Sequence, residues 1–246
     1  MIWFIIATLV AFFIKGLCGF ANTLIFNGIL SYTANNINIS PLEVVLGYPS
    51  NIILVWKERK SLNWKIWLPL TALVVAGSIP GIFLLKHTDA GLLKVIFGIA
   101  VIVIGVEMLF REMKSNRESS NRKSGGSKFV LVLIGIISGL LCGLYGVGAL
   151  LAAYVSRVAE NSHEFKANIC VVFVVENTIR IILYVATGIL TLSVLKQVVI
   201  LIPFMLAAVF LGMKSSSVLN EKIIKKIVII LLILSGIVLI INNIPG

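Results

Sequence analysis

Each half of the chain opens with an apolar segment long enough to cross a bilayer and interrupted by glycines. The first interruption reads Gly16-Leu17-Cys18-Gly19-Phe20-Ala21-Asn22. The second reads Gly139-Leu140-Leu141-Cys142-Gly143-Leu144-Tyr145-Gly146-Val147-Gly148. Glycine lacks a Cβ and accepts positive φ, so a helix can stop and restart there. At membrane depth a stopped helix leaves backbone donors unpaired unless they line a protein-walled cavity. Breaks at corresponding positions of two halves point to a transport site at the repeat interface.

Composition identifies the solvent. Of 246 residues, 59% are hydrophobic and only 13% are charged, more apolar surface than a soluble domain can hide. The chain is expected to be an all-α integral membrane protein. Apolar blocks fall at about 2–34, 42–56, 64–85, 92–110, 129–155, 166–187, 194–213 and 223–242. The net charge of +11 sits almost entirely in short loops. It reads as a set of orientation signals under the positive-inside rule, not as a nucleic-acid surface. The first 14 residues lack a basic leader and a small-residue cleavage site, so they are expected to be retained. Cys18, Cys142 and Cys170 lie in apolar segments without CxxC spacing, which argues against disulfides and zinc. No cofactor and no metal are expected.

The organisation is read as a first membrane repeat over 1–110, a linker over 111–128 and a second repeat over 129–246. The linker is rich in Ser and Gly, with six basic and two acidic residues, and is expected to be cytoplasmic. Ser40-Pro41-Leu42-Glu43 has the form of a capping box opening a helix, and Asn161 with Glu164 repeats it. The halves align with an offset of 124 at Cys18-Gly19 and Cys142-Gly143. The offset is 126 at Ser50-Asn51 and Glu176-Asn177, and 131 at Gly81 and Gly212. Loop charge sets their relative orientation. The basic loops are 57–65 in the first half and 214–226 in the second, which are not equivalent positions. With basic loops inside, the repeats are inverted. A re-entrant hairpin at each glycine motif supplies the odd shift this needs; eight plain spans in parallel repeats are the alternative.

Several polar residues sit inside these segments. A re-entrant tip presents free backbone N–H groups at a half-helix N-terminus, which attract anions. Gly19, Asn22, Gly143, Gly146 and Gly148 are the candidates there, although GxxxG spacing alone also suits helix packing. Charge at the bilayer centre costs about 2.5–3.5 kcal/mol on insertion scales, so Glu176 and Arg180 are functional candidates by default. They are four apart with Glu first, the favourable order for a same-face pair. Arg180 is read as the binder of an anionic substrate, and Glu176 as a coupling carboxylate or a counter-charge. Asn51 and Asn177 share a repeat position and could donate from both sides of a pseudo-two-fold site. Lys15 lies near the first tip. His87 and His163 fall in loops, and Trp3, Trp56, Trp64 and Trp67 fall near span ends, as an aromatic belt would.

At the two glycine motifs the chain resembles the TauE/SafE (sulfite exporter) family of membrane proteins. The small-residue runs Gly77-Ser78-Ile79-Pro80-Gly81 and Ala207-Ala208-Val209-Phe210-Leu211-Gly212 support this, and the resemblance covers all but the linker. It implies a carrier of small sulfur-containing anions such as sulfite or organosulfonates, in which Cys18 and Cys142 could handle sulfur. The first motif departs from the family pattern, with Ala21-Asn22-Thr23 in place of the usual glycine cluster.

The expected function is therefore secondary transport of a small anion across the cytoplasmic membrane of a prokaryote by alternating access. No GxxxxGK[ST] loop occurs, so energy would come from a coupling ion, proton or sodium. The alternatives are a passive anion channel and a non-transporting assembly partner. An enzyme is not expected: no His falls in an apolar block, and neither HExxH nor GxSxG occurs.

Overall fold

The structure is a computed structural model. It describes residues 1–30, 36–84 and 148–241, with isolated helical positions between 95 and 136. The linker, His87 and the second motif up to Val147, with Cys142, Gly143 and Gly146, lie outside the described residues. Eight helices are followed below: α1 (Ile2–Cys18), α2 (Asn22–Leu30), α3 (Asn36–Glu58), α4 (Trp64–Leu84), α5 (Ala149–Val158), α6 (Ser162–Ala186), α7 (Leu192–Val218) and α8 (Glu221–Ile241).

The first apolar block is a hairpin, not one span. Phe12 and Phe26 meet edge to face with ring centroids 6.4 Å apart. A continuous helix would separate residues 14 apart by roughly 20 Å, so the chain doubles back between them. The reversal is at Gly19–Ala21. Gly19 has φ +87° and its N–H donates to the Lys15 carbonyl, closing α1 as a left-handed cap does. At nine residues, α2 rises only about 14 Å, less than half a bilayer core. One side of α1 (Ile2, Ile6, Leu9, Phe13) is exposed and wholly apolar, while Lys15 on the other side is buried.

The halves are joined by antiparallel packing of α3 on α6. Ser40 meets Tyr184, Tyr48 meets Thr178, and Asn63, just beyond α3, meets Glu164. Residue numbers climb on one helix as they fall on the other. Ser50-Asn51 and Glu176-Asn177 lie between these contacts, in the middle of the crossing. Also, α3 packs on α7 and α4 packs on α6.

Crossing of α1 over α7 is set by two glycines. A Cβ on Gly16 would strike the backbone of Val209, Gly212 and Met213, and one on Gly212 would strike that of Phe13, Gly16 and Leu17. Backbones this close need small residues on both helices, a common membrane solution.

Both basic loops lie at one end of the molecule. Lys57 Nζ donates to the Met213 carbonyl at 3.3 Å, which brings the C-termini of α3 and α7 together. Asn63 Nδ2 donates to Glu164 Oε1 at 2.9 Å, and His163 Nδ1 lies 2.7 Å from Glu58 Oε2. The N-terminus of α6 therefore joins the same end. Exposed Trp56 and Trp64 stand there under Arg59 and Lys65, as expected of aromatic anchors beside cationic headgroup contacts.

One helix start differs from its sequence signature. Asn161 caps α6, accepting from the Glu164 N–H at 2.8 Å. Ser40-Pro41-Leu42-Glu43 does not cap α3, which begins at Asn36 and runs through both Pro41 and Pro49. Ser40 and Glu43 instead turn their side chains to tertiary partners. The local pattern is satisfied by long-range bonds.

Candidate functional site

A cavity opens at the α3–α6 crossing beside the tip of the α1–α2 hairpin. Its lining includes Lys15, Asn22, Glu43, Asn51, Gly148, Phe173, Glu176 and Asn177. Its free volume is about 20 Å³, room for roughly one water. The polar residues arrive there by helical spacing. Glu43, Gly47 and Asn51 recur every four residues along one side of α3, and Phe173, Glu176 and Asn177 follow at three- and four-residue steps along α6.

The first half supplies a chain of bonds across the cavity wall. Lys15 Nζ donates to Asn22 Oδ1 at 3.0 Å. Asn22 Nδ2 donates to Glu43 Oε1, which also accepts from Thr23 Oγ1 at 2.9 Å. The Asn22 amide thus lies between a buried ammonium and a buried carboxylate. A Cβ built on Gly47 would lie 3.3 Å from Glu43 Oε1 and 3.6 Å from both Asn22 Nδ2 and Asn177 Nδ2. Three polar side chains converge over that bare Cα.

Two short helices start at this cavity. Asn22 is the first residue of α2, and Gly148 immediately precedes α5. The first turn of a helix carries unpaired N–H groups and partial positive charge. A Cβ on Gly148 would run into the Phe173 ring, so only glycine lets α5 begin so near the lining.

Asn51 is fully buried, and neither its Oδ1 nor its Nδ2 has a hydrogen-bond partner. Leaving a buried polar group unmatched costs about 1–3 kcal/mol, so such a group calls for a ligand or water. Glu176 Oε1 likewise lacks a hydrogen bond and lies 3.6 Å from Arg180 Nε.

Arg180 stands behind this lining and is not part of it. Its Nη2 donates to Tyr184 OH at 2.8 Å and to Ser40 Oγ at 3.0 Å, and its guanidinium sits over the Tyr184 ring. Gly19 and Cys18 are also set back from the cavity. The Gly19 carbonyl accepts from Cys170 Sγ at 3.4 Å, and Cys18 is a buried free thiol. Of the sequence candidates, the cavity gathers Asn22, Asn51, Gly148, Glu176 and Asn177. It also holds Lys15, which the sequence sets near the first tip as a snorkelling lysine or an aid to anion entry, and it adds Glu43, which the capping-box signature absorbs. The missed signal is the four-residue step Glu43, Gly47, Asn51.

Ala21, inside the hairpin turn, has φ +72°. It is the sole non-glycine residue with positive φ among the described residues. Left-handed backbone in such a residue stores roughly 1 kcal/mol or more. Ala21→Gly is expected to raise the melting temperature in detergent, measured by tryptophan fluorescence; an unchanged or lower value would mean the turn is not strained.

The chain matches the family model described as "Sulfite exporter TauE/SafE" over residues 4–239. It belongs to that family. No curated protein and no solved structure matches it. Membership places this TauE/SafE protein among membrane transporters of small anions, and its long apolar helices (α3, α6 and α7 foremost) agree with a multi-pass membrane protein.

Proposed function

We propose that this TauE/SafE protein is a secondary transporter that binds a small sulfur-containing oxyanion or organosulfonate in the cavity at the α3–α6 crossing. The observation that carries the reading is the partnerless amide of Asn51. It is buried where the ammonium of Lys15 and the starts of α2 and α5 converge. Anions are favoured at helix N-termini and by charge-assisted hydrogen bonds. In this reading Asn22, Asn51 and Asn177 donate side-chain N–H groups, Gly148 offers backbone at the start of α5, and Lys15 supplies the facing charge. Gly19 permits the turn. Arg180 is a fixed cation that holds Glu176 in place, and Cys18 and Cys142 are left to packing.

The transport cycle follows from repeat symmetry. We read the halves as inverted repeats, with the α1–α2 hairpin dipping in from the face opposite the basic loops. The antiparallel α3–α6 pair and the exchange of contacts, α3 on α7 and α4 on α6, support this. We read the cycle as alternating access around this cavity, by rocking of one repeat against the other. Both basic loops lie at one end, and we read that end as the cytoplasmic one.

Binding to purified protein tests the site, with sulfite, sulfate, thiosulfate and methanesulfonate as probes. Asn51→Leu removes the amide at nearly constant volume. It is expected to lower anion affinity about tenfold to a hundredfold, the value of a charge-assisted hydrogen bond. Its melting temperature should hold or rise, because an unpaired buried amide is lost. Equal affinity in Asn51→Leu, or no binding of any probe by the parent protein, would sink the proposal. Saturable flux with counterflow in liposomes separates a carrier from a channel, and no flux at all would indicate an assembly partner.

A further inference from the structure

The charges around the cavity balance before any substrate arrives. Lys15 and Arg180 face Glu43 and Glu176, and all four are at most 3% exposed. Adding a monoanion leaves one uncompensated negative charge among buried side chains, which is costly. A proton taken up by one carboxylate removes it.

The two carboxylates are not equivalent. Glu176 has a cation beside it, 3.6 Å away at Arg180 Nε. Glu43 accepts hydrogen bonds from Asn22 and Thr23, both neutral. The charged groups that face Glu43 are Lys15 from α1 with Arg180 and Glu176 from α6, while α2 brings only the two neutral donors. Protonating Glu43 therefore breaks no direct ion pair. The Asn22 amide links this event to the ligand, because its oxygen holds Lys15 while its nitrogen serves Glu43. A carboxylic acid is a weaker acceptor than a carboxylate. Once Glu43 is protonated, Asn22 Nδ2 is free to turn to an anion.

Resting on the anion reading above, we propose that Glu43 is the proton carrier of this transporter, coupled to the anion through Asn22. One proton from the aqueous phase bonds to a Glu43 carboxylate oxygen as one monoanion enters. Both leave on the other side, so the step is electroneutral.

Proteoliposomes test it with radiolabelled methanesulfonate and radiolabelled sulfite, the membrane potential being clamped. Exchange at equal pH is measured first and accumulation under a one-unit pH gradient second. The parent protein should accumulate anion up to about tenfold on the alkaline side, the limit for one proton per anion. Glu43→Gln should lose the gradient-driven accumulation while still showing measurable exchange at equal pH. Undiminished accumulation in Glu43→Gln would overturn the proposal. So would loss of exchange in a Glu43→Gln protein that stays monodisperse with a normal melting temperature, since a pure proton carrier is not needed for exchange. If the parent protein exchanges neither anion, the anion reading itself fails, and that is seen before any gradient is applied.

Discussion

Arg180→Met is expected to destabilise the protein by about 3–5 kcal/mol, the effect of leaving one member of a buried ion pair without its partner. The substitution strands Glu176, which is 1% exposed, and removes the donor shared by Ser40 and Tyr184. These partners lie on both sides of the α3–α6 interface, so the loss falls on the contact that joins the halves. Glu176→Gln combined with Arg180→Met should recover most of the stability, because no buried charge is then unpaired. Melting temperatures of the parent, both single variants and the double variant give the coupling directly. Anion affinity in the double variant decides Arg180's role. Retention within a few-fold fits a positioning cation, and a collapse would make Arg180 a direct ligand. Additive single effects would mean that the 3.6 Å pair carries no energy.

Gly212→Leu is expected to lose about 3 kcal/mol or more, beyond ordinary overpacking. The added side chain meets the backbone of Phe13, Gly16 and Leu17, and backbone cannot turn aside as a side chain can. Separation of α1 from α7 would also displace the hairpin that carries Lys15 and Asn22. Detergent size-exclusion should show aggregation or a large fall in melting temperature. Phe210→Leu, on an exposed part of the same helix, serves as the control and should change stability by about 0.5 kcal/mol or less. A stable, monodisperse Gly212→Leu protein would mean that α1 and α7 do not cross where the structure has them.

Much of this architecture is legible in the sequence because it is periodic or repeated. Gly19 marks the hairpin turn, since only a positive φ lets α1 stop and reverse there. The sequence pairing of Ser50-Asn51 with Glu176-Asn177 picks out residues that lie near one another where α3 crosses α6, with Asn51, Glu176 and Asn177 lining one cavity. The spacing of Glu176 and Arg180 gives their ion pair. Glu43 was hidden for a different reason. Its neighbours Ser40 and Pro41 complete a local capping signature, while its true partners, Asn22 and Thr23, are about twenty residues away on another helix. Lys166 is a similar case. It is buried against Ser216 across fifty residues of sequence, and nothing local distinguishes it from a snorkelling lysine. Tertiary bonds of this kind leave no periodic trace.

An anion is expected to sit against Asn51 at the crossing of α3 and α6. Crystals of the protein grown with selenite, examined at the selenium absorption edge, test it most directly. An anomalous peak is expected within hydrogen-bonding reach of Asn51 Nδ2, between Asn22 and Asn177 and on the Lys15 side of the cavity. A selenium peak elsewhere, such as beside Lys166 at the basic end, with none in the cavity, would contradict it.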